Sequence, residues 1–94
     1  MRSASVSPQR TVIIRNKYGL HARPAAEFIR VANQFQSDIF VRKGELEVNG
    51  KSIMGVMMLA AEKGSRITIR ASGDDAAAAV EELSALIEGG FGEE

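Results

Sequence analysis

The 94-residue chain has twelve basic and twelve acidic side chains, so no net charge attracts it to nucleic acid or anionic lipid. It has no cysteine and a single histidine, which excludes disulfides, cysteine zinc sites and histidine metal clusters. No apolar stretch approaches the roughly 18 residues of a membrane span, and the polar N-terminus lacks the apolar core of a signal peptide. We expect one cytoplasmic domain with no metal, no cofactor, no nucleic-acid partner and no membrane partner.

The N-terminal third is predicted to hold one strand and one helix. Residues 1–9 are expected to form a disordered leader, because they offer little to bury. A β-branched run predicts a strand over residues 10–16, and helical spacing predicts a helix over residues 22–35. The apolar stripe of this helix consists of Ala25, Phe28, Ile29, Ala32 and Phe35.

The middle of the chain predicts a hairpin followed by a second helix. Alternating residues indicate strands over residues 38–43 and 45–49, with Gly44 at the turn. Ser52 is a good N-cap for a helix over residues 53–62. The side chains predicted to face the helices from the two strands are Ile39, Val41, Leu46 and Val48.

The last strand and helix have the clearest patterns. Residues 66–71 alternate throughout, and a turn with two acidic residues then precedes a third helix, whose N-terminus they suit. The apolar stripe of that helix consists of Ala76, Ala79, Val80, Leu83, Leu86 and Ile87. Residues 90–94 are predicted to form a flexible tail, which leaves a single domain over residues 10–89.

The element order β-α-β-β-α-β-α predicts a two-layer α/β sandwich. Two split βαβ units place the helices on one face of an antiparallel sheet. The pattern alone does not fix the order of the strands in that sheet.

The single histidine lies where a loop is predicted to become a helix. Gly19 supplies a turn, and Pro24 favours the first turn of a helix, so His21 is expected at or next to the N-cap. Free N–H groups and the helix dipole favour an anion there, and a neutral imidazole is a nucleophile. Arg23 offers a planar set of donors for phosphate oxygens. Taken alone, each has an ordinary interpretation, a helix cap and a solvated arginine; together they predict a phosphoryl site.

The second predicted helix has no polar side chain over residues 53–61. Met54 and Met58 are predicted to lie opposite the sheet, with Met57 at the border. A small two-layer domain cannot bury a helix on all sides, so these methionines predict an adaptable surface for partner proteins. The alternative is that they cover the edge of the core. The side chains predicted to face the sheet are Ile53, Val56, Leu59 and Ala60.

Three small residues each have two interpretations. Ala22 and Ala26, on the flank of the first helix, either allow a partner to approach closely or fill a tight contact between helix and sheet. Ser52 is explained by its role as an N-cap, but a regulatory phosphate would also be tolerated there by the helix dipole and free amides.

Two motifs at matching distance resemble the HPr family of histidine-containing phosphocarrier proteins. They are Gly19-Leu20-His21-Ala22-Arg23-Pro24-Ala25 and Lys51-Ser52-Ile53-Met54-Gly55-Val56-Met57. The resemblance runs over about residues 11–87 and includes Ile67-Thr68-Ile69 with Gly73 and Asp74. It implies an open-faced β-sandwich with strand order one, four, two, three and three helices on one face. The chain departs from the family at Gly50, where many sugar-system members have a larger apolar residue, and in its N-terminal leader.

The resemblance implies a protein-to-protein phosphoryl carrier, not an enzyme. His21 would accept the group on Nδ1 from enzyme I, which takes it from phosphoenolpyruvate, and pass it to a IIA-type domain. Arg23 would help to hold the group. Ser52 matches the serine that an HPr kinase/phosphorylase modifies in some members to block enzyme I. The family's docking surface corresponds to Ala22, Ala26, Ile53, Met54 and Met57.

Several alternatives stay open. As a member of that family, the chain would belong to the sugar branch, to the nitrogen-related branch or to a purely regulatory one, and we expect a monomer. A small hydrolase would use Arg23 as a phosphate clamp, but the sequence offers no nucleophile–base pair. A binding module would use the sheet face with Ile13 and Phe40, although zero net charge disfavours nucleic acid as its ligand.

Overall fold

The computed structural model describes residues 7–93, which form a four-stranded antiparallel sheet and three helices. The strands are β1 (Gln9–Ile13), β2 (Asp38–Lys43), β3 (Leu46–Asn49) and β4 (Arg66–Ser72). The helices are α1 (Ala22–Ala32), α2 (Ile53–Met58) and α3 (Ala76–Glu88). The strands lie in the order β1-β4-β2-β3, as the family resemblance implied.

One face of the sheet is buried beneath the helices. Alternate residues of β1, β2 and β4 point into the core with almost no exposure: Val12, Ile39, Val41, Ile67, Ile69 and Ala71. From the helix side, Phe28, Leu83 and Ile87 fill the same core. This one-sided burial explains the alternation of apolar and polar residues in these three strands.

The edge strand β3 departs from the predicted pattern. Leu46 was predicted to face the helices, yet it is 45% exposed, and Val48 is only partly buried. Gly55 of α2 lies against Val48. Because Leu46 is exposed, the prediction that it faces the helices was wrong.

Helix α2 is shorter than the predicted helix over residues 53–62. It ends at Met58, and Ala60 has a left-handed backbone with φ +49°. The Lys43 ammonium group donates to the carbonyls of Leu59 and Ala60 at 3.2 and 3.3 Å. A side chain from β2 thus donates to carbonyls at the end of α2. Basic side chains often bind the free carbonyls at a helix C-terminus in this way. The early end leaves Ala60 exposed instead of facing the sheet.

Helix α1 also ends earlier than predicted, at Ala32 instead of residue 35. The amides of Gln34 and Phe35 donate to carbonyls three residues earlier, so the chain leaves the helix through a tighter turn. The Lys51 ammonium group donates to the Phe35 carbonyl at 2.7 Å and fixes this turn.

Both termini of the domain extend beyond the predicted boundaries. Residues 1–6 of the predicted leader lie outside the described residues, but Gln9 pairs with Arg70 in the sheet and the Pro8 carbonyl accepts from Ala71. At the other end, Gly90–Gly92 form a 3₁₀ turn, with Gly90 buried. Phe91 packs on the core, and glycine allows the positive φ at residues 90 and 92, so this stretch has defined contacts where the sequence predicts a flexible tail.

Candidate functional site

His21 is the N-cap of α1, as the sequence predicted. Its backbone is extended, with φ −77° and ψ −174°, and its carbonyl accepts from the Ala25 amide at 2.9 Å. The imidazole makes no capping hydrogen bond, and the side chain is 40% exposed. The backbone of His21 thus starts the helix, and its ring takes no part in the cap.

The first turn of α1 offers two backbone donors beside this ring. Pro24 has no N–H group, and the N–H groups of Ala22 and Arg23 have no acceptor among residues 7–93. Unpaired donors and the positive end of the helix dipole favour an anion. The Arg23 side chain is exposed, and in the described part of the chain it has no ion-pair partner. These groups suit a phosphoryl group bound next to His21.

Asn16 holds the loop that carries His21. Its side chain is 1% exposed, and its amide nitrogen donates to the Gly19 carbonyl at 2.7 Å and to the Glu93 carboxylate at 3.0 Å. Gly19 has φ +68° and lies too close to Ala61 for any side chain. Asn16 was not among the predicted site residues, because the sequence predicted a strand at this position. A buried asparagine that organises a loop leaves no local signal beyond its residue type.

The ring of His21 lies in an open pocket, and only His21 and Arg23 of its lining residues were predicted as site residues. Tyr18 meets the imidazole edge to face, with ring centres 6.0 Å apart, and the Lys17 ammonium lies 5.2 Å from the Tyr18 ring centre. Glu93 Oε1 lies 3.4 Å from His21 Nε2. The pocket is lined by Lys17, Tyr18, His21, Arg23, Gly92 and Glu93.

Ser52 is the N-cap of α2, as predicted. Its hydroxyl accepts from the Gly55 amide at 3.0 Å, and the side chain is half-buried. In this bond the hydroxyl oxygen is the acceptor. The residue is still partly exposed at the surface.

The apolar surface predicted on the second helix is present. Met54 and Met58 are 71% and 65% exposed, and Met57 is 40% exposed. Ile53 was predicted to face the sheet but is 40% exposed, because it begins a six-residue helix that buries only Val56. Ala22 and Ala26 are exposed on α1, which packs against α2, so the alternative that they fill a tight helix–sheet contact was wrong.

The described residues lack the features of a metal site or a membrane span. Residues 7–93 contain no group of three or more histidine, aspartate or glutamate side chains that is placed to hold a metal ion. None of the helices within that range is both long and apolar enough to cross a membrane.

Comparison with known proteins assigns the family. The family model for the "PTS HPr component phosphorylation site" matches residues 8–89, which is most of the chain. This chain belongs to the HPr family. The HPr phosphocarrier protein of Neisseria meningitidis serogroup A is 49% identical over 85 residues, covering 90% of this chain and 96% of the relative.

Solved HPr structures share the whole fold. HPr from Thermoanaerobacter tengcongensis superposes with a TM-score of 0.89 at 48% identity, covering 93% of this chain and 98% of that one. The HPr-like protein Crh of Bacillus subtilis is 48% identical, covering 85% of this chain and 94% of the relative. A protein named phosphocarrier protein NPr, from Proteus mirabilis, is 42% identical over 90% of this chain. The HPr and NPr relatives are thus named as phosphocarrier proteins and not as enzymes.

Proposed function

We propose that this chain is a phosphocarrier that accepts a phosphoryl group on Nδ1 of His21 from phosphorylated enzyme I. It then passes the group to a IIA-type domain. The observation that carries the proposal is the partly exposed His21 ring at the start of α1 in a member of the HPr family. Beside it lie Arg23 and two N–H groups that have no acceptor within residues 7–93. A cytoplasmic location is part of the proposal and rests on the phosphocarrier names of the relatives.

The chemistry needs a nucleophile and an anion site, and the chain offers both. The lone pair of Nδ1 forms a bond to phosphorus, while the bond from phosphorus to the donor breaks and its electron pair returns to the donor. The amides of Ala22 and Arg23, with the Arg23 guanidinium, are available to hold the phosphoryl oxygens. The reverse exchange with an acceptor needs the same groups, so a carrier requires no separate base and no cofactor.

The direct test is phosphorylation by phosphoenolpyruvate and the cognate enzyme I. We expect one acid-labile phosphate on the wild-type protein and none on His21→Ala. Arg23→Ala should be labelled more slowly with an unchanged melting temperature, since the side chain is exposed. Arg30→Ala, which removes a charge from the same helix at an exposed residue, is the matched control. Unchanged labelling of His21→Ala would remove this histidine from the mechanism.

Ser52 is proposed as a regulatory phosphorylation site of the same protein. Ser52 is half-buried at the start of α2 and directly precedes the exposed apolar residues Ile53 and Met54, so a phosphate there would add charge to the proposed docking surface. An ATP-dependent HPr kinase/phosphorylase should give an acid-stable phosphate on the wild-type chain and none on Ser52→Ala. If the active kinase leaves both proteins unmodified, Ser52 is only a helix cap.

The docking surface for enzyme I and the IIA-type domain is proposed to be formed by Ala22, Ala26, Ile53, Met54 and Met57. All five are exposed, and they lie on two helices that pack together. Exposed apolar side chains near a reactive group favour a role in contacts with partner proteins.

A nitrogen-related or regulatory role is the second candidate, because relatives named NPr and Crh match most of the chain. Gly50 favours neither branch, because a side chain at this position would collide with Ile39, so packing within this chain accounts for the glycine. Transfer rates to a sugar-type and to a nitrogen-type IIA domain, measured in parallel from the phosphorylated protein, separate the branches. The sugar-branch proposal expects faster transfer to the first.

A further inference from the structure

The His21 ring has a carboxylate partner that comes from the far end of the chain. Glu93 Oε1 lies 3.4 Å from Nε2 of His21, and the Glu93 side chain is only 20% exposed. The same oxygen accepts a 3.0 Å hydrogen bond from the Asn16 amide nitrogen. Asn16, Glu93 and His21 thus form a continuous chain of contacts that ends at one nitrogen of the imidazole.

The position of Glu93 is fixed from two sides. The preceding turn, Gly90–Gly92, holds the backbone against the domain, since Gly90 is buried and Phe91 packs on the core. Asn16 is 1% exposed, and its amide nitrogen faces two oxygen acceptors, the Gly19 carbonyl and Glu93. The opposite orientation of this amide would set its oxygen against both of those oxygens. Asn16 therefore donates to Glu93 and holds the carboxylate beside His21.

A neutral imidazole carries its proton on one of two nitrogens, and the partner of one nitrogen decides which. A carboxylate accepts a hydrogen bond but donates none, so Glu93 favours the proton on Nε2. The lone pair is then on Nδ1. The 3.4 Å separation is longer than a usual N–H···O bond, and such contacts often tighten only when a reacting partner is bound.

We propose that Glu93, held by Asn16, is a positioning residue that keeps the His21 proton on Nε2 and so presents Nδ1 as the nucleophile. This inference rests on the proposed phosphocarrier function. Nδ1 forms the bond to phosphorus as the donor's bond to phosphorus breaks and the electron pair returns to the donor. No proton has to leave the attacking nitrogen. The proton stays on Nε2, where it is shared in the hydrogen bond to the Glu93 carboxylate.

The test compares Glu93→Ala and Glu93→Gln with the wild-type full-length chain. Glu88→Ala is the matched control, since it removes an exposed acidic residue from the same end of the chain. The first readout is the ¹⁵N spectrum of the His21 ring at about pH 8.5, where an ordinary imidazole is neutral. We expect the ratio of the Nε2–H form to the Nδ1–H form to fall severalfold in Glu93→Ala. Glu93→Gln, which keeps an acceptor oxygen, should lie between that variant and the wild-type chain.

The second readout is kcat/KM for phosphorylation by enzyme I. We expect it to fall about threefold to tenfold in Glu93→Ala. This is at or below the low end of the loss seen when a metal-binding histidine loses the hydrogen-bond partner of its other ring nitrogen, about tenfold. Glu93→Gln should recover part of the loss, and Glu88→Ala should match the wild-type chain.

The outcomes separate this inference from the function on which it rests. If the wild-type chain is phosphorylated on His21, but Glu93→Ala leaves both the tautomer ratio and the rate unchanged, the role of Glu93 is overturned and the carrier function stands. A faster rate in Glu93→Ala would also overturn it, because the carboxylate would then repel the incoming phosphoryl group. If enzyme I does not phosphorylate the wild-type chain at all, the phosphocarrier proposal itself fails.

Discussion

Asp75 joins two loops through a single carboxylate. It is the N-cap of α3 by position, but its side chain makes no capping hydrogen bond. Its oxygens accept instead from the backbone amides of Gln36 and Ser37, at 2.9 and 3.0 Å, and from the Ser37 hydroxyl. Chiefly because of the Ser37 hydroxyl bond, and then the Gln36 amide bond, the pKa of Asp75 lies below its usual value.

This lowered pKa predicts a pH-dependent contribution to stability. The folded chain binds the Asp75 proton less tightly than the unfolded chain, so the contribution is fully present above the ordinary aspartate value of about 3.9. It is lost as the pH falls through the lowered pKa. We expect Asp75→Ala to lower the urea midpoint at neutral pH, with the gap from the wild-type chain closing in acid. Asp74→Ala, at the exposed neighbour, is the control. A gap of constant size between neutral pH and about pH 2.5 would contradict this account.

At the scale of the element, α2 depends on its cap because it is only six residues long. Ser52 satisfies the Gly55 amide, so Ser52→Ala should lower the free energy of unfolding by about 1 kcal/mol, within a range of about 0.5–2. Aspartate caps a helix about as well as serine, so Ser52→Asp should stay near the wild-type value. Urea titration of the three proteins checks both expectations. Equal stability of Ser52→Ala and the wild-type chain would mean that the capping bond contributes nothing.

The exposed methionines of α2 give a second prediction at this scale. Met54 is 71% exposed, so Met54→Glu should leave the melting temperature unchanged and weaken binding to enzyme I by tenfold or more, roughly the effect of placing a charge in an apolar contact. Ile13→Glu is the matched control, since Ile13 is an exposed apolar residue on the open face of the sheet. Calorimetric titration with enzyme I measures both variants. Weaker binding by Ile13→Glu alone would move the docking surface to the sheet.

At the scale of the whole molecule, the described residues form a closed unit in which all four strands pair within the chain. The edge strands β1 and β3 have only five and four residues, and short edges limit pairing with a second copy. We therefore expect a single species near 10.1 kDa in sedimentation experiments at micromolar concentration. Structures of an HPr dimer and a Crh dimer have been solved, so the mass measured in solution is needed to decide between monomer and dimer for this chain. A mass that doubles with concentration would contradict the monomer.

Local patterns of the sequence determined the elements and the reactive group. The period of 2 located the four strands and the period of 3.6 located α1 and α3, because an element that buries one face repeats its apolar residues at its own period. Gly19 and Pro24 placed His21 at the start of α1, since turn and helix-start preferences act within a few residues. The residue type of Ser52 predicted its cap for the same reason.

Only the tertiary structure decided where helices stop and what surrounds the reactive ring. Lys43 of β2 donates to the Leu59 carbonyl just past the end of α2, and Asp75 reaches a loop 38 residues away in sequence. Glu93 meets His21 and Asn16 across 72 and 77 residues, although the sequence predicted a flexible tail at this end of the chain. These contacts depend on how the layers pack, and no local pattern records a partner so distant along the chain. His21 was therefore predictable from its neighbours in sequence, whereas the carboxylate beside it was set by the fold.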